Sequence, residues 1–347
     1  MDNTKEILCE MLETESSDEV DNSLSQTRAT EIVSIISFRP DNMLFDNSKI
    51  SQLSFNPSKQ APLYEGNLVQ IAVERRGSKK PINALVAISF DFNKMRIDGL
   101  SIIGASELTP FDRMVLDAIN TLYIEGENDY ITLNMIHHVM TGDYSKRISS
   151  NYAREIQNSI TKLMYSRIVI KAPEETIIYP KLKNFVYDSS LLPAERVTAT
   201  LNGAEVACIH IDRIPPLFDY ANRKNQICRV NISLLRVPIK DSKRETLKYM
   251  TLVFYLLRRI MSIWSISNTI RYSTIYRDLG YDKETRKVKL GIRKRTKEIL
   301  DGWAGTIIGN IKILGYEELR QGNVPHELII NYEIVSQEKI SVSQHKT

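Results

Sequence analysis

Residues 268–303 read NTIRYSTIYRDLGYDKETRKVKLGIRKRTKEILDGW, and this stretch decides which fold and which function to look for. Tyr272 to Leu279 has the length of a short helix, and Gly280 follows as the residue that most readily adopts the left-handed conformation at a helix end. Asp282-Lys283-Glu284-Thr285 supplies a tight link with polar side chains to cap what comes next. From Arg286 onward, Val288, Ile292, Ile299 and Trp303 recur at offsets 0, 4, 11 and 15, which places them on one face of a helix. Arg286, Arg293, Lys294 and Lys297 project from roughly the opposite side, and Lys289 belongs to the same basic set. Residues 271–300 hold ten Lys/Arg against four acids, a local net charge of +6. A short helix, a turn and a basic helix with one apolar face outline a helix-turn-helix, whose second helix enters the major groove of DNA.

Outside that stretch the charge is uneven. The 347-residue chain has a net charge of only +4, but residues 1–21 hold eight acids against Lys5 alone. The remainder therefore carries +11, a basic body suited to a polyanion, with an acidic tail that is solvated or competes for the basic surface. Apolar content of 42 % and charged content of 25 % are those of a globular protein with a sizeable core. Cys9, Cys208 and Cys228 show no CxxC spacing, which argues against a disulfide framework or a zinc site and fits a reducing cytoplasm. The first twenty residues are too acidic for a secretory signal. The most apolar run, Tyr249 to Leu257, falls well short of the ~20 residues a membrane span needs. A cytoplasmic protein without a membrane segment is expected.

The chain in order predicts an α+β protein: two winged-helix domains preceded by a small N-terminal β-rich segment. Residues 1–28 read as an acidic disordered tail. Residues 29–104 read as the β-rich segment, with strands at Ile32–Phe38, Leu63–Glu74, Asn83–Phe92 and Met95–Ile103 and a basic loop at 77–81. A first winged-helix domain spans 105–182. Thr109 caps its first helix, with Pro110 at the first helical position and Asp112 at the third. A second short helix runs from Thr132 to Met140, and a third begins at Ser150 with Arg154, Asn158 and Lys162 opposite its apolar face. Arg167–Ile170 and Thr176–Tyr179 would be its wing. Residues 183–244 join the two domains and contain a hairpin turning at Asn202-Gly203. The second winged-helix domain, 245–335, opens with the apolar helix Glu245–Trp264, passes through the basic pair, and closes with strands at Ile311–Leu314 and Leu328–Ile334 around a loop, 315–325. Residues 336–347 form a frayed tail.

This duplicated order, with the segments Leu108-Thr109-Pro110-Phe111-Asp112-Arg113, Ser159-Ile160-Thr161-Lys162-Leu163-Met164 and Tyr255-Leu256-Leu257-Arg258-Arg259-Ile260, resembles the plasmid replication initiators of the Rep family over about 105–335. The resemblance implies that the C-terminal winged helix reads repeated sites at an origin of replication. It also implies that the N-terminal one mediates dimerisation or a second DNA contact. Arg286, Arg293, Lys294 and Lys297 are then the carried-over DNA contacts, with Arg154, Asn158 and Lys162 as their N-terminal counterparts. The partners implied are double-stranded DNA, a second copy of the chain and host replication proteins. In chemical terms, Arg293 would bridge a guanine and Asn158 an adenine, while Tyr272, Thr274 and Arg277 anchor the backbone.

Signatures of catalysis are lacking in the sequence. There is no GxxxxGK[ST] loop, and His137 and His138 are adjacent, so on a helix they diverge by about 100° and do not chelate together. His210-Ile211-Asp212 offers one histidine of a nickase-like pair and no second. The expectation is a non-enzymatic protein without cofactor or metal. Its rivals are a transcriptional or partition regulator of the same build and a protein-interaction scaffold.

Overall fold

The computed structural model describes residues 38–56, 69–73, 82–90, 108–145, 147–171, 179–182, 186–201, 204–236, 246–263 and 267–335. The acidic tail, the C-terminal tail, most of Ile32–Phe38, all of Met95–Ile103, the 77–81 loop, Thr176–Ile178 and the Asn202-Gly203 turn lie outside them.

β1 (Asn42–Asp46) leads into the short helix α1 (Lys49–Ser54), which starts where the Ser48 hydroxyl accepts a hydrogen bond from Ser51 N at 3.2 Å. β2 (Val69–Val73) and β3 (Ile82–Phe90) follow. Helix α2 (Pro110–Glu125) begins with a reciprocal cap. Thr109 Oγ1 accepts from Asp112 N at 3.3 Å, and the Asp112 carboxylate accepts from Thr109 N at 2.7 Å. After β4 (Tyr130–Thr132), α3 (Leu133–Thr141) is capped by Thr132 and stops at Gly142, whose φ of 66° is open to glycine at little cost. Helix α4 (Ser150–Tyr165) runs directly into β5 (Ser166–Lys171). β6 (Val186–Ser190), the hairpin β7 (Ala194–Leu201) and β8 (Ala204–Ile211), helix α5 (Pro216–Arg223) and β9 (Ile227–Asn231) make up the joining region. Helix α6 (Leu247–Met261), β10 (Thr269–Arg271), α7 (Tyr272–Asp278), α8 (Arg286–Trp303), β11 (Ile307–Ile308), β12 (Ile311–Gln321) and β13 (Val324–Ile334) complete the chain.

The strand pairing departs from the expected wings in three places. In the first unit the partner of β5 is not Thr176–Tyr179. β5 pairs on one side with β6 and on the other with β3, in a sheet ordered β2-β3-β5-β6. The N-terminal strands thus add to the sheet that follows α4, and β1 pairs with β9, nearly two hundred residues on. In the second unit the stretch 315–325 is not a loop. β12 and β13 are each eleven residues long and meet at a two-residue turn, Gly322-Asn323, with Gly322 at φ 61°. The charges of Glu317, Glu318 and Arg320 obscured a strand that is solvated along most of this length, whereas Gly-Asn is a standard hairpin signal. The strand between the first two helices also differs between the units. β10 joins the β12–β13 hairpin through β13, while β4 is taken up by β8 of the joining hairpin.

One continuous apolar core runs through both helical units. Helix α6 is buried around most of its circumference, as its sequence predicts, and packs against α2, α8 and β11. Its Arg258 pairs with the buried carboxylate of Asp117 on α2 and donates to the main-chain oxygen of Asp46 at 2.7 Å. Among the described residues, no helix is long and apolar enough to cross a membrane.

Candidate nucleic-acid interface

The α7–turn–α8 pair forms where the sequence places it. Leu279 N donates to Ile275 O at 3.1 Å, and Gly280 takes φ 76°, which lets the chain reverse without steric cost. The turn is then tied from both sides. Tyr276 Oη donates to Lys289 O at 3.2 Å, and Lys289 Nζ donates to Asp282 O at 2.5 Å. The inner face of α8 is Ile292, Thr296, Ile299, Leu300 and Trp303, all buried, and the Trp303 indole donates to Leu234 O at 3.0 Å. Val288 is half-buried and packs against the core as the periodicity requires.

Before Ile292 no residue of α8 is fully buried: Val288 and Lys289 are half-buried against the body, and the rest of the first turn and a half projects from it. That projecting end holds Arg286, Lys287 and the exposed Leu290. Thr285 makes no side-chain cap there, and the first turn contains no acid. Cations at a helix N-terminus without a side-chain cap oppose the helix dipole, an arrangement that an incoming anion relieves.

The predicted contacts divide into three groups. Arg286 is exposed and Arg293 half-exposed, and among the described residues neither meets a carboxylate; the Arg293 guanidinium lies 5.7 Å from the centre of the Tyr272 ring. Lys294 and Lys297 are within reach of Glu298 and Glu318, at 3.9 and 3.6 Å, and Arg295 is held by Glu298 at 2.5 Å. Glu298 and Glu318 are only 9 % and 14 % exposed, so these carboxylates hold the three cations more firmly than a solvated pair would. Tyr272 is a correction. It is 2 % exposed, and its hydroxyl donates to Glu318 at 2.7 Å, so it holds the helix in place and does not reach a DNA backbone. Burial and that carboxylate push its phenol well above the ordinary range. Replacing it, Tyr272→Phe, should lower stability by about 1 kcal/mol through the lost hydrogen bond, measured by denaturant melts, and leave duplex affinity unchanged. A loss of duplex affinity at full stability would contradict this placement.

On α4 the face expected to mirror α8 does not stand free. Arg154 is exposed, but Asn158 and Lys162 line a groove of about 270 Å³ whose far side is Lys248, Leu279 and Tyr281. Lys162 Nζ binds the buried Asp112 carboxylate at 2.6 Å with its side chain 15 % exposed, so its charge serves the start of α2. Thr274 and the exposed Arg277 line a second cleft together with α1 and α6. The β12–β13 hairpin carries Glu317, Glu318, Glu327 and Glu333 against Lys312 and Arg320, so positive charge is concentrated on the helix and not on the hairpin.

Periodicity alone missed Lys287, which is exposed beside Arg286 and was visible only as part of a charge count. It also missed Glu195, which β7 places opposite His210 in register, with His210 Nδ1 3.5 Å from both Glu195 and Asp212. The cysteines lie apart from any of this. Cys208 is buried, and burial pushes the Cys228 thiol up.

No protein-family model matches the chain, and no curated protein matches it. Among solved structures it is similar to a crystal structure of domains 2 and 3 of RctB, at TM-score 0.43 and 14 % identity over 84 % of this chain and 98 % of that one. It is also similar to a selenomethionine form of the same domains, at TM-score 0.42 and 12 % identity over 83 % of this chain and 97 % of that one. A likeness this distant does not reach to function.

Proposed function

We propose that the protein is a sequence-specific double-stranded DNA-binding protein that reads DNA with α8 as the recognition helix of a winged helix. The observation that carries this reading is the projecting, uncapped N-terminal end of α8, with Arg286, Lys287 and Arg293 clear of internal carboxylates. Arg286 and Lys287 neutralise phosphates; Arg293, steadied by the Tyr272 ring, presents a guanidinium fork to guanine O6 and N7. The biological role we assign is initiation of replication of a plasmid or mobile element by binding origin repeats, without catalysis by this chain.

The test is selection of bound duplexes from a random pool, followed by binding to the selected sequence as a function of salt. A recurring motif is expected, with log affinity falling against log salt at a slope of about −2 for two phosphate contacts. A salt-independent interaction, or no enriched motif, overturns the reading. Initiation is separated from transcriptional or partition control by asking whether the gene, with neighbouring repeats, sustains a plasmid that lacks its own initiator.

A further inference from the structure

α1, the start of α2, α6 and α7 enclose a cleft of about 320 Å³. Lys49, Arg113, Arg258, Arg259 and Arg277 line it, against the single carboxylate of Asp278. Counting Asp46 and Asp117, which bind Arg113 and Arg258 from behind the wall, the cations still exceed the acids by two. Several of these charges are poorly answered. Arg113 is 8 % exposed, its Nη2 donates to the main-chain oxygen of Asp46 at 2.5 Å, and its buried Nε has no hydrogen-bond partner among the described residues. Arg259 donates from one nitrogen to Thr269 O at 3.0 Å, and its buried Nη1 has no hydrogen-bond partner among the described residues. Burial pulls the Arg113 guanidinium down to about 10, the direction expected of a cation whose charge is not balanced.

Two buried guanidinium nitrogens without acceptors are costly, and the excess of cations around a cavity of ligand size calls for an anion. We infer that this cleft binds a phosphate group, which accepts from Arg259 and Arg113 and meets Lys49 and Arg277 at the mouth. Phe55, Met114 and Phe254 supply apolar wall, so the cleft fits a phosphate carrying an organic substituent better than the bare ion. The phosphate belongs either to a small phosphorylated molecule or to a DNA backbone, and the inference does not depend on the role of α8.

The full chain is titrated with inorganic phosphate and with glycerol phosphate, by calorimetry and thermal melting, with chloride at matched ionic strength as control. Stabilisation by the phosphates is expected, and Arg259→Gln should weaken their binding about tenfold by removing a charge-assisted donor. Lys49→Ala, at an exposed position that leaves the core intact, should weaken it several-fold. Arg286→Glu on α8 should leave it unchanged. If free phosphates do not bind but Arg259→Gln and Lys49→Ala both weaken duplex binding, the phosphate is supplied by the DNA backbone, and the site stands. Phosphate binding that is unchanged in both cleft variants, or no effect of any phosphate together with unaltered duplex binding, overturns it. Loss of duplex binding on changing α8, with phosphate binding intact, separates this site from the proposed DNA-reading helix.

Discussion

The combined change Arg286→Glu, Lys287→Glu and Arg293→Gln should reduce affinity for the selected duplex at least about a hundredfold, with the melting temperature nearly unchanged. All three side chains lie on the outer side of α8, and none meets a carboxylate among the described residues, so removing their charge leaves no buried acid without a partner. Two phosphate contacts would become repulsive and one base-directed fork would lose its charge. The neighbouring cations make an informative contrast. Lys297 stands beside Glu318 and Lys162 on Asp112, so Lys297→Ala should have a small effect on binding, and Lys162→Ala should chiefly destabilise the start of α2. The readout is a binding isotherm at fixed salt together with a melt of each variant. Unchanged affinity in the triple variant would remove α8 as the reading element and leave a protein-interaction scaffold as the better account.

A second large effect is expected deep in the protein. Arg258→Met should cost about 3–5 kcal/mol, because it leaves the Asp117 carboxylate buried without its cation. The side chains of Arg258 and Asp117 are 11 % and 3 % exposed, so water does little to compensate. Arg258 also donates to the main chain of β1 and stacks 4.7 Å from the centre of the Phe45 ring, so one side chain joins the N-terminal strand, α2 and α6. Replacing both members of the pair, Arg258→Met with Asp117→Leu, should cost less than the sum of the two single changes, since no lone charge then remains inside. Equilibrium denaturation of the four proteins measures the coupling. Additive losses would mean that the guanidinium is satisfied elsewhere and that the pair does not hold the units together.

Much of the helical framework could be read locally. The Thr109–Asp112 cap, the Thr132 and Gly142 boundaries of α3, the turn at Gly280 and the buried stripe of α8 each follow from residues within one or two helical turns, where spacing fixes the outcome. The basic face of α8 was legible to the same depth, since a basic face opposite an apolar one declares itself at a period of 3.6 residues. Tyr272 shows where that reading stops. Its sequence context is that of an exposed polar residue on a short helix, and only Glu318, forty-six positions later on β12, turns it inward.

The sequence by itself determined the six helical segments α2–α4 and α6–α8, the caps at Thr109 and Thr132 and the concentration of positive charge on α8, because those are set by neighbours three and four residues apart. It did not give α1, and the side-chain cap expected before α8 does not form. Tertiary structure alone decided which strands pair, since β1 with β9 and β3 with β5 are joined across long separations by hydrogen bonds that carry no side-chain signature. It also decided which cations remain available for a ligand. A cation is free or occupied according to the carboxylate that folding brings beside it, and Asp117 and Glu318 reach Arg258 and Lys297 only when the core closes.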